Sequence, residues 1–117
     1  MRRRRLPWRR PCDIEKIKRD NSGYYVIIDR DPKNGEPRGL HCHGPKPGST
    51  MWTLLHEICP LISRNIQAMD KPEVIKRWML TGSRGIGQSE NFSIIGDILD
   101  VFIKHYKEWM KENGIKR

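Results

Sequence analysis

Hydrophobic and polar positions change their period along the chain. From Tyr24 to Asp29 the run YYVIID is β-branched and aromatic, with DNSG before it and DPKNGEP behind it, so it reads as a strand between two turns. A second, weaker strand is expected over Arg38 to His43. It makes a hairpin with the first and ends at GPKPG, whose prolines and glycines cannot continue a ladder. Upstream, DIEKIKRD places Ile14 and Ile17 at a spacing that fits either one helical turn or a strand edge, and the pattern does not choose between them.

From Ser49 onward the period becomes helical. Ser49 or Thr50 can cap a helix in which Trp52, Leu55, Ile58, Ile62, Ile66 and Met69 recur every three or four residues, with Pro60 expected to kink or divide it. Asp70 is a natural cap for a second helix carrying Pro72 in its first turn and Val74, Ile75, Trp78 and Met79 on its apolar side, ended by TGSRGIGQ. After Ser89 and Asn91 comes the strongest pattern: Phe92, Ile95, Leu99, Phe102, Tyr106 and Trp109, flanked by Ile94, Ile98 and Val101. Asp97, Asp100, Lys104, Lys107 and Lys111 occupy the opposite side. The predicted fold is α+β and mostly helical, a short N-terminal β-hairpin packed on three or four helices. Residues 13–117 form a single compact domain behind a basic extended arm, residues 1–12.

Charge sharpens this picture. The 117 residues carry a net charge of +9, and residues 1–11 hold six arginines (Arg2, Arg3, Arg4, Arg5, Arg9 and Arg10) with no acid. Guanidinium groups are permanently charged and shaped to take phosphate oxygens on two donors at once, so a polyanion is the expected partner. Trp8, among the arginines, can stack on an unpaired base. A nuclear-import signal or a plain solvated tail would have the same composition. No run approaches the roughly 20 apolar residues of a membrane span, and no apolar segment follows MRRRRLPWRRP as it would in a signal peptide. Three scattered cysteines (Cys12, Cys42 and Cys59) do not make a disulfide framework. The chain is therefore expected inside the cell, in a reducing compartment, and in the nucleus of a eukaryotic cell, with no membrane partner.

The stretch from Gly39 to Cys59 concentrates the candidate chemistry, because it contains three of the four histidines and two of the three cysteines. If Leu40 to Gly44 is extended, His41 and His43 share one face, while His56 and Cys59, three apart, share a helix face. Two ligands from each element can then converge on a zinc ion. Such an ion would join hairpin to helices and add folding free energy to a small domain. The alternative makes Cys59 a small core hydrophobe and the histidines loop residues.

His41-x-His43 on a strand also resembles the metal-holding pair of HUH-type single-strand nucleases, which implies a tyrosine nucleophile with lysine nearby. Tyr106, beside Lys104, Lys107 and Lys111, is the candidate, with Tyr24 and Tyr25 as others. Tyr106 equally fits the apolar row of its helix, and the two placements predict opposite exposures for its ring. LHCHGPKPGS resembles the LHCH-x-x-x-PGS segment of the large early-region-four regulatory protein of adenoviruses. That likeness spans ten residues with no second matching block, and it is read as chance. TGSRGIG, Thr81 to Gly87, looks like the cofactor loop of short-chain dehydrogenases. It is one residue short and follows VIKRWML, which reads as helix where that loop needs a strand, so no dinucleotide is expected.

These features point to a small basic nucleic-acid-binding protein, of the kind used as a viral or phage regulatory or packaging factor. It would use the arm for phosphates and the C-terminal helices for self-association or a host protein. An HUH-like nuclease and an adaptor binding only a host protein are the alternatives.

Overall fold

A computed structural model of the chain describes residues 11–68, 71 and 93–115. Among them are three strands, β1 (Cys12–Arg19), β2 (Ser22–Arg30) and β3 (Pro37–His43), and two helices, α1 (Thr50–Gln67) and α2 (Ile94–Glu112). The strands form one antiparallel sheet in the order β1-β2-β3. The expected mostly helical fold is therefore corrected: the hairpin is a three-stranded sheet, and helix and strand make up about 45% and 29% of the described residues. The helix expected after Asp70 and the TGSRGIG loop lie outside the described residues, as do residues 1–10.

The extra strand is β1, and its pattern explains why the sequence left it open. Asp20 and Asn21 both have positive φ, 51° and 64°, the conformation of a two-residue turn whose twist matches that of a hairpin. The turn pairs Arg19 with Ser22 and sets the register down to Cys12 opposite Asp29. Alternation then turns Asp13, Glu15, Ile17 and Arg19 inward and Ile14, Lys16 and Lys18 outward. An inward face with one apolar residue in four gives no hydrophobic alternation to read.

That charged inner face is matched residue by residue. Glu15 receives Lys104 Nζ at 2.6 Å on one carboxylate oxygen and His105 Nε2 at 2.9 Å on the other. Asp13 accepts from Arg30 Nε at 2.6 Å, and Arg19 reaches Asp97 at 2.8 Å. β1 is thus fastened to α2 mainly by ion pairs, with Ile17 packed against the core. Lys104 and His105 hold the Glu15 carboxyl below the usual carboxylate range.

The remaining inward positions are apolar. Tyr24, Val26 and Ile28 of β2 and Leu40 and Cys42 of β3 join Leu55, Cys59, Ile62 and Ile66 of α1 in one core. α2 supplies Ile94, Ile98, Leu99, Val101, Phe102, Tyr106 and Trp109. Ser49 caps α1 by accepting from the Trp52 N–H, and Ser93 caps α2 by accepting from Gly96, so the last helix starts slightly later than its pattern suggests. Pro60 does not divide α1. It stands on the exposed side, where water can make up the helical hydrogen bond it removes.

α1 packs along β3. The backbone N–H and C=O of Leu40 point away from β2, and Ser63 Oγ takes both, accepting from the N–H and donating to the C=O at 2.9 Å each. Buried Arg38 reaches the last turn of α1, donating to the Gln67 carbonyl at 2.8 Å while paired with Glu36 at 3.2 Å. At the far end, Trp109 Nε1 donates to the Asn34 carbonyl and ties α2 to the β2–β3 loop. Gly35, at φ 75°, makes the turn beside that ring.

Two outcomes test these fastenings. Ser63→Ala strands a buried donor and a buried acceptor, and urea unfolding should show a loss of about 2 kcal/mol; an unchanged midpoint would mean that the bridge contributes nothing. Glu15→Gln should melt lower than the unaltered chain at neutral pH. Because the folded-state pKa of Glu15 lies below 4.5, its stabilisation is complete above that value and is lost as pH falls through the folded value. The two melting curves should therefore converge in acid, and a gap that persists there would exclude the carboxylate as the cause.

Candidate functional site

Strand and helix do bring the histidine and cysteine stretch together. His41, Cys42 and His43 of β3, with Leu55, His56, Cys59 and Pro60 of α1, line one cavity of about 120 Å³. All four residues expected as metal ligands, His41, His43, His56 and Cys59, are on its wall, but they are engaged in different ways. His41 Nε2 lies 2.9 Å from Asp29 Oδ2. His43 and His56 meet edge to face, ring centroids 5.3 Å apart. Since a carbonyl only accepts, His56 donates Nδ1–H to Trp52 O at 2.8 Å, which leaves Nε2 as its acceptor nitrogen.

Cys42 and Cys59 belong to the core. Burial pushes the Cys42 thiol up to about 11 and, with Cys42 close by, the Cys59 thiol up to about 12, so both are neutral at pH 7. A metal ion here would have to displace a proton from Cys59, and His41, held by Asp29 through Nε2, would have only Nδ1 to offer it. Among the described residues no group of three or more His, Cys, Asp or Glu side chains is arranged to hold one. His43 and His56 are the pair the fold places ring to ring.

The nuclease pairing is not assembled. Tyr106 is 5% exposed, packed between Phe102 and Trp109 on the inner side of the sheet. His41 and His43 project from the outer side, since their neighbours Leu40 and Cys42 fill the core. The sheet stands between phenol and histidines. Phe102 and Trp109 are likewise buried, which removes them from any partner surface, whereas α1 exposes Met51, Leu54 and Leu61.

The outer side of the sheet holds an arrangement the sequence reading did not assemble. Tyr25 pairs with Lys16 on one side and His43 on the other, so the three form a row across all three strands. Lys16 Nζ lies 5.7 Å from the Tyr25 ring centroid. Beyond His43 the row continues onto α1, where the rings of His56 and Trp52 lie 3.9 Å apart. The signal was present in the residue types and in the two-residue turn, but it needed a register that spacing alone does not set.

No protein-family model, curated protein or solved structure matches the chain. The functional reading therefore rests on its own residues. Among the described ones, no helix is long and apolar enough to cross a membrane.

The cysteine environments predict a labelling pattern. Cys12 is exposed whereas Cys42 and Cys59 are buried, so iodoacetamide should modify one thiol of the native chain and three after denaturation. Rapid native labelling at Cys59 would refute its assignment to the core.

Proposed function

We propose that the protein binds nucleic acid, with Arg2, Arg3, Arg4, Arg5, Arg9 and Arg10 neutralising phosphates and Trp8 stacking on an unpaired base. The observation that carries this reading is the concentration of six arginines without one acid in residues 1–11. Phosphates release condensed counterions when guanidinium groups replace them, which makes such binding strong, salt-dependent and weakly selective for sequence.

The distribution of charge beyond the arginines supports it. The basic segment joins the sheet at Cys12, where the Pro11 carbonyl accepts from the Arg30 N–H at 2.9 Å. From that point β1 turns its lysines outward, on the same strand, and keeps its two acids inward against α2. A polyanion held by the arginines would meet Lys16 and Lys18 next, without passing a carboxylate of β1.

Removal of residues 1–10, or replacement of the six arginines by glutamine, should leave the melting temperature unchanged. It should weaken oligonucleotide binding by about two orders of magnitude or more at moderate salt and flatten the plot of log affinity against log salt. Fluorescence anisotropy over a salt series measures both. Affinity and slope equal to those of the unaltered chain would overturn the proposal.

A further inference from the structure

We propose that the outer face of the sheet at Tyr25 is a stacking platform for single-stranded nucleic acid, with Tyr25 and His43 receiving bases and Lys16 and Lys18 their phosphates. This rests on the nucleic-acid reading above and adds to it a second contact surface and a strand preference.

Two apolar side chains stand exposed on a sheet whose neighbouring positions are buried. Tyr25 is 47% exposed and Ile14 63%, while their neighbours Tyr24, Val26 and Ile28 are buried. An aromatic ring standing on an antiparallel sheet offers its face, and every base has a face to match it when unpaired. In a duplex those faces are stacked on each other, so the platform selects single strands.

The row of rings is continuous. Tyr25 and His43 are direct cross-strand partners, His43 meets His56 at 5.3 Å, and His56 lies against Trp52 at 3.9 Å. Cross-strand neighbours sit about 5 Å apart, close enough that consecutive bases can use consecutive rings. The Nδ1–H bond from His56 to the Trp52 carbonyl holds the helical end of the row in place.

The face is also complementary to a polyanion in charge. Lys16, Lys18, Tyr25 and His43 share this face, whereas Asp13 and Glu15 lie on the other and are taken up by Arg30, Lys104 and His105. The acid on the outer side of β2, Asp29, is buried and paired with His41. Lys16 Nζ sits over the Tyr25 ring in the free protein. A base stacking there releases the ammonium to the adjoining phosphate, which exchanges a cation–π contact for an ion pair.

Binding of oligo(dT), oligo(U) and a mixed-sequence duplex by the full chain, Tyr25→Ala, His43→Ala and the arginine-to-glutamine variant tests this. Tyr25→Ala should weaken binding to single strands about ten- to a hundredfold, the measured worth of one stacked base. It should leave the salt slope and duplex affinity as they were, and Tyr25→Phe should recover most of the loss. If Tyr25→Ala and His43→Ala bind single strands like the unaltered chain while the arginine variant does not, the platform is refuted and the proposed function stands. If the unaltered chain binds none of the probes, both fall. Photocrosslinking of the unaltered chain to bromouracil-substituted oligonucleotides gives a readout independent of variant folding: adducts at Tyr25, His43 or Trp52 support the platform, and adducts confined to residues 1–10 overturn it.

Discussion

The third strand of the sheet ends its hydrogen-bonding outward, with the N–H and C=O of Leu40 facing where a fourth strand would pair. A single hydroxyl closes the edge at Leu40: Ser63 satisfies both groups at 2.9 Å. Much else follows from this contact. It seats α1 alongside β3, which puts Leu55, Cys59, Ile62 and Ile66 against Leu40 and Cys42. It also hides an edge that would otherwise template pairing with another chain. The same seating carries His56 to the rim of the sheet, where it meets His43, lines the small cavity and stacks against Trp52.

A second constraint acts at the opposite edge. β1 has too few apolar residues to bury itself by hydrophobic contact alone, so its attachment to α2 relies on Glu15 with Lys104 and His105 and on Arg19 with Asp97, while Asp13 with Arg30 ties it to β2. Half-buried pairs of this kind contribute little singly, but as a network they set orientation and register. Their consequence for function is a division of charge. Carboxylates of β1 are consumed in holding the sheet to the helix, and its lysines are left on the outer face beside Tyr25.

The sequence was informative wherever one physical signal dominated. Strand β2 and the 3-4 spacing of α2 were legible because burial of one face imposes a period. The cap of α1 was legible as Ser49 or Thr50 because such a hydroxyl satisfies a helix N–H locally, and Ser49 is the one that does. β1 was not, since its inner face is charged and its one fully outward apolar residue, Ile14, is exposed. Reading that segment as ambiguous turned a three-stranded sheet into a hairpin and tipped the expected balance toward helix. For the histidine cluster, spacing correctly anticipated that β3 and α1 would bring its members to one place. It did not anticipate that Asp29 would engage His41, and it left Cys59 open between ligand and core hydrophobe; the fold buries Cys59 in the core.

What the sequence by itself determined is therefore local or summed: strand and helix periods, caps and turns, and the concentration of six arginines in the first eleven residues. These follow from nearest neighbours along the chain or from simple addition of charge. Only the tertiary structure decided which residues stand together on the outer face. Lys16, Tyr25, His43, His56 and Trp52 come from four separate elements, and their alignment depends on strand register and on the seating of α1 against β3. A shift of one residue in either strand pairing would turn Tyr25 or His43 to the other side, because side chains alternate with a period of two. The Asp20–Asn21 turn fixes the β1–β2 register locally, but the β2–β3 pairing and the seating of α1 depend on contacts between distant parts of the chain, and that is information no local pattern contains.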